Sequence, residues 1–142
     1  MATFNKFQPF VENLAEKVFN LGTDTLRLAL TNTAPINTQN AFTPGSLHPP
    51  PAAVNGYTSG GNTMTISSSA QSGGTYKLVL ADSVFTAAGG AIGPFRYAIL
   101  WSDTAALDQL ISWWDYASSI TLADGETFAF DADPTNGILT LT

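Results

Sequence analysis

The chain has 142 residues, a length that suits one compact domain and leaves little room for a second. Five Lys and Arg stand against eleven Asp and Glu, and the net charge of -6 is the wrong sign for a phosphate-binding surface, so no nucleic-acid partner is expected. Charged residues make up 11% and hydrophobic residues 44%, which argues against both a highly charged disordered chain and a membrane-embedded one.

The opening stretch MATFNKFQPF has no basic region, apolar run and small-residue cleavage site of the secretory kind, so an intracellular, cytoplasmic site of synthesis is expected. The first element predicted is a helix over residues 9–21. Pro9 suits a first helical position, Glu12 and Lys17 complement the helix dipole, and Gly22 can supply a left-handed stop. Phe10, Leu14, Val18 and Leu21 recur at spacings of four, four and three, which makes one apolar stripe. That stripe must be covered by the chain's own sheet or by a neighbouring subunit.

From Asp24 the period changes to two. Leu26, Leu28 and Leu30 alternate with more polar neighbours, and Met64 and Ile66 do so later. Tyr76, Leu78 and Leu80 form a third strand, and Phe95, Tyr97, Ile99 and Trp101 a fourth; these two are the strongest core candidates. Further strands are predicted at Leu110 to Tyr116, Ser119 to Leu122, Thr127 to Asp131 and Ile138 to Leu141, with Asp124-Gly125 and Pro134 to Gly137 as turns. That makes eight strands, with a ninth candidate at Val84-Phe85. The pattern predicts a mainly β domain, an antiparallel sandwich or barrel-like fold with one N-terminal helix. A doubly wound fold is excluded, because no helical period recurs between the strands.

Residues 33–63 break the pattern. Pro35, Pro44, Pro49, Pro50 and Pro51, then Asn55-Gly56 and Gly60-Gly61, rule out a central strand and predict a long loop or arm. Three consecutive prolines favour an extended left-handed conformation that loses little entropy on docking, so an arm reaching across a subunit boundary is a natural use.

The residues that carry chemistry are sparse. Without cysteine the chain has no disulfide, thiolate nucleophile or Cys-ligated zinc, and the single histidine, His48, lies in a Pro-rich setting with no Asp nearby in sequence. The segment Asp131 to Gly137 matches a calcium loop at its first and third positions but has Asn136 at the sixth and Thr142 at the twelfth, so a turn is the better reading. None of the paired glycines leads into a Lys-Ser or Lys-Thr at a helix start, and no phosphate loop is present. No catalytic residue, cofactor or metal is predicted.

Charge and aromatic residues point instead to contact. Residues 1–96 hold five bases and four acids, +1, whereas residues 97–142 hold seven acids and no base, -7, which suits either solubility or a basic partner. Trp113 and Trp114 are adjacent, so a strand sends them to opposite faces, Trp114 with Tyr116 and Trp113 with Asp115. One indole is then expected outside the main core. It would pack under a loop or the helix, stack on a sugar ring, or anchor a protein interface.

Four runs, VENLAEKVFNLGTDTLRLALTNTAP (Val11 to Pro35), NGYTSGGNTMTISSS (Asn55 to Ser69), GPFRYAILWSDTA (Gly93 to Ala105) and LISWWDY (Leu110 to Tyr116), resemble a small structural protein of tailed bacteriophages. They cover about half of the chain and leave out Ile36 to Val54. The resemblance implies a head decoration (cement) protein bound in many copies to the outer capsid surface, with the major capsid protein and other copies of itself as partners, a trimer being the common arrangement. The interface residues expected are Phe10, Leu14, Val18, Pro49, Pro50, Pro51, Trp113, Trp114 and Tyr116. Two alternatives are a tail or tail-completion component and a carbohydrate-binding module on the virion.

Overall fold

The computed structural model describes residues 2–42 and 54–142. Pro49 to Pro51 and His48 lie outside them. In chain order the elements are β1 (Thr3–Lys6), α1 (Pro9–Ala15), β2 (Leu26–Thr31), β3 (Asn62–Thr63), β4 (Ile66–Ser72), β5 (Thr75–Leu80), β6 (Ser83–Thr86), β7 (Ile92–Ser102), β8 (Leu110–Leu122), β9 (Thr127–Phe130) and β10 (Leu139–Leu141). All pairings are antiparallel, in a five-stranded sheet ordered β1-β8-β7-β2-β3, a three-stranded sheet β10-β5-β4 and a two-stranded sheet β6-β9. The domain is mainly β and sandwich-like, as its alternating pattern predicts.

Strands β2 and β7 explain the packing. All of β2 but Arg27 is buried, and β7 is buried without a break from Tyr97 to Ser102, including Leu26, Leu28, Leu30, Ala98, Ile99, Leu100 and Trp101. A strand buried without alternation must be covered on both faces. One face meets the two-stranded sheet, where Trp114 packs edge-on against Phe130 at 4.9 Å and Phe95 against Phe128 at 5.0 Å. The other is covered by the flanks of the long loop. Phe42 stacks on Trp101 at 4.5 Å, and the Trp101 indole N–H donates to the Gly60 carbonyl. These flanks therefore belong to the chain's own core.

The chain changes sheets over two residues. Met64 N–H still donates to the Leu26 carbonyl in the first sheet, whereas the Thr65 carbonyl accepts from Ala81 N–H beside the second. The strand expected around Met64 and Ile66 is thus two strands with a corner between them, β3 and β4. Strands β4 and β5 close with Ser72 opposite Thr75, across Gly73 and Gly74, both at positive φ. That is the two-residue hairpin turn whose twist suits the sheet.

Three further expectations change. The predicted helix over 9–21 ends at Ala15, because Lys17 adopts φ 65° and reverses the chain. Lys17 N–H donates to the Leu14 carbonyl and Val18 N–H to the Asn13 carbonyl, a Schellman closure with lysine where glycine is usual. Gly22 is not that stop. The two segments 110–116 and 119–122 are one strand, β8, kinked where Ala117 takes φ 68° and its N–H is held by the Asp115 carboxylate at 2.7 Å. Strand β1 was not anticipated at all. Four residues are too few for a clear alternation, and its partner β8 lies more than a hundred residues away.

Candidate docking surface

The apolar stripe of α1 faces inward. Phe10 is 1% exposed and packs on Phe19 at 5.4 Å, while Leu14 and Val18 are half-buried against the same core. Phe10 is therefore an interior residue, corrected from its expected interface role. Leu14 and Val18 keep one side open. With Phe19, Leu21, Tyr76 and Leu141 they line a groove of about 420 Å³, between the end of α1 and the three-stranded sheet.

The tryptophans divide as the strand period requires. Trp114 turns inward, buried between Phe130 and the exposed Phe4, whose ring lies 5.5 Å away. Its expected contact with a partner is limited to the sliver of ring that floors a cleft. Trp113 turns to the opposite face, half-buried beside Tyr97 at 5.8 Å, and its indole N–H donates to the Asn37 side chain at 3.1 Å. The covering there is a loop flank, as one of the sequence readings has it.

Tyr116 lies half-buried on the Trp114 side, edge-on to Phe128 at 5.1 Å. Burial, aided by the nearby Asp131 carboxylate, pushes its phenol up to about 12. Tyr116, Trp114 and Phe130 form one side of a cleft of about 460 Å³ that Phe4, Asp131, Asp133 and Ile138 complete. A shallower extension of about 320 Å³ continues past Phe4 along Gly137 to Thr140.

The acidic side of this cleft is the segment considered for calcium. Asp131 accepts the Asp133 N–H, and Asp133 accepts both the backbone N–H and the side-chain amide of Asn136, each at 2.9 Å. Those bonds hold the Asp133 carboxyl below the usual carboxylate range. The carboxylates serve the turn, as expected. Among the described residues no three His, Asp or Glu side chains converge to hold a metal.

Arg96 makes the best-formed ion pair, two parallel bonds to Asp115 at 2.7 and 2.8 Å. The pair lowers the Asp115 pKa and raises that of Arg96. Arg96 also lies over the Tyr97 ring at 5.2 Å, so it braces the β7–β8 pairing from outside.

The C-terminal stretch reaches both openings, with Leu141 of β10 lining one and Ile138, just before that strand, the other. Sequence pattern located Leu14, Val18, Trp114 and Tyr116. It missed Leu141, which reaches the first groove through β10 pairing with β5, and Phe4 and Asp131, which meet at the second because β1 pairs with β8 and Trp114 of β8 packs on Phe130, the neighbour of Asp131. Among the described residues no helix is long and apolar enough to cross a membrane. No protein-family model matches the chain, no curated protein matches it significantly in sequence, and no solved structure matches it significantly in fold.

Proposed function

We propose that the protein is a noncatalytic structural component of a tailed-bacteriophage virion, a capsid decoration (cement) protein that stabilises the head by bridging capsid subunits. The observation that carries this reading is the pair of open apolar grooves beside β10, lined by Leu14, Val18 and Leu141 on one side and by Phe4, Trp114 and Tyr116 on the other. Open aromatic and aliphatic pockets receive anchor side chains of a protein partner, and Trp and Tyr are enriched where such anchors bind. Several of the lining side chains, Phe19, Leu21, Trp114 and Phe130 among them, are held in the core, so little ordering free energy is lost on docking. Each contact is modest. Many copies on one shell sum them.

The carbohydrate-binding alternative leans on an exposed indole. Trp113 is half-buried, with its N–H already used by Asn37, which favours the protein-docking reading over sugar stacking. Gold or antibody labelling of intact particles, imaged by electron microscopy, tests the location. The expected label is on the outer head. Heads lacking the protein should lose DNA at lower temperature or milder osmotic shock than complete heads, and equal resistance would defeat the reinforcing role.

A further inference from the structure

Among the described residues, strand β1 is hydrogen-bonded on one side only, to β8. Such an edge offers a template on which another extended strand can add. Its Phe4 stands 43% exposed at the mouth of the cleft floored by Trp114 and Phe130, and the far rim of that cleft carries Asp131 and Asp133. Asp133 is engaged by Asn136 and lies in the field of Lys77. Asp131 accepts only a backbone N–H from its own turn and has no base within ion-pair distance among the described residues.

A free strand edge beside an apolar floor and an uncompensated carboxylate has a definite complement. It is an extended segment with an apolar ring and a cation two residues apart, since positions i and i+2 of a strand share a face. Strand β1 is itself such a segment, with Phe4 and Lys6 in the run TFNK. The charge distribution of the whole chain agrees, because Lys6 lies in the part of net charge +1 and the cleft acids in the part of net charge -7.

We propose that two copies of this chain pair β1 with β1, antiparallel about a two-fold axis at Asn5, so that each copy presents Phe4 and Lys6 to the other's cleft. This register sets Phe4 opposite Lys6 of the partner subunit and Asn5 opposite Asn5 of the partner subunit. It keeps the two lysines from standing opposite each other, which would be destabilising. The contact is isologous and closes at two copies, and it joins two five-stranded sheets into one. It rests on the reading of this face as a docking surface, and not on where the protein sits in a particle.

Sedimentation of the full chain over a range of concentrations should show a dimer of twice the 15.0 kDa chain mass. Lys6→Glu and Asp131→Lys should each weaken dimerisation about tenfold or more, and the combined variant should recover it. Because the chain has no cysteine, Asn5→Cys adds a single thiol, and mild oxidation should link two copies through it. Val84→Cys, on the exposed face of β6, should not link. A monomer at every concentration, a trimer alone, or a dimer indifferent to both charge reversals and not linked through position 5 would overturn the pairing. Labelling of particles is decided separately. A monomer found on heads leaves the proposed function standing, and a β1-linked dimer absent from heads leaves only the pairing.

Discussion

The two edges of the five-stranded sheet are finished in opposite ways. At the β2 edge, β3 pairs for only two residues, and side chains then take over the work of a strand. The Tyr57 hydroxyl accepts the Leu30 N–H at 3.0 Å, and Arg27 donates to the carbonyls of Ser59 and Gly61. Among the described residues nothing comparable happens at the β1 edge. Phe4 projects beside an open cleft, and Asp131 lies on its rim with no cation among the described residues within ion-pair distance. One edge is sealed by the chain itself and contributes stability; the other is the edge proposed for recognition. Substitutions at the sealed edge should therefore change folding, and substitutions at the open edge should change association.

The largest effect is expected where the seal is tightest. Gly61 lies at φ +86°, and a Cβ there would stand 1.8 Å from the Leu28 carbonyl oxygen and 2.6 Å from the Ala29 Cα. Both atoms are backbone of a central strand, so no side-chain rotation relieves the clash. Gly61→Ala should destabilise by about 4 kcal/mol or more, or prevent folding, as read from urea denaturation or soluble yield.

The same edge has a pH signature. Burial pushes the Tyr57 phenol up to about 12, against the smaller, opposite influences of its Leu30 contact and of Arg27. The folded-state value exceeds the unfolded value of 10.0, so the neutral phenol favours folding. That stability is intact below pH 10 and is lost as pH rises to about 12, by an amount on the order of 3 kcal/mol at most. Tyr57→Phe removes this loss and leaves the share belonging to Tyr116. At neutral pH the same variant strands the buried Leu30 N–H and should be about 1–3 kcal/mol less stable. Thermal melts at pH 7 and pH 11 separate the two effects, and identical pH dependence in both proteins would refute the assignment.

Much of the sealed region was legible in the sequence. Alternation marked the cores of β2, β5, β7 and β8, and the adjacency of Trp113 and Trp114 fixed that they face opposite ways. What alternation does not carry is who covers each face. The loop over residues 33–63 reads as polar punctuation because of its Pro and Gly, yet Phe42 and Tyr57 within it complete the core. The open region was legible only in part. Tyr116 and Trp114 stood out as aromatics, but Phe4 and Asp131 become neighbours through the β1–β8 pairing together with the packing of Trp114 on Phe130, and no local pattern encodes that. The helix is shorter than its apolar periodicity predicts for a local reason, since a lysine in the left-handed conformation leaves no mark in residue propensities.

At the open edge, Phe4→Ser should lower stability by about 1 kcal/mol or less, since the ring is 43% exposed and meets Trp114 edge-on. Its main effect should be on self-association, which sedimentation reads directly. A large loss of stability without loss of the dimer would reverse the contrast between the two edges.

The smallest effect tests the reading of α1. Lys17 holds a left-handed conformation that strains a residue with a Cβ, and its backbone completes the Schellman closure. Lys17→Gly removes that strain at the price of a more flexible unfolded chain, so a net gain of about 0.5–1 kcal/mol is expected. Lys17→Ala keeps the Cβ and should gain nothing. Urea midpoints of the two variants therefore separate backbone strain from any contribution of the lysine charge, because both variants lose the charge and only one relieves the backbone. Equal midpoints would mean that the helix ends at Ala15 for some reason other than the geometry of residue 17.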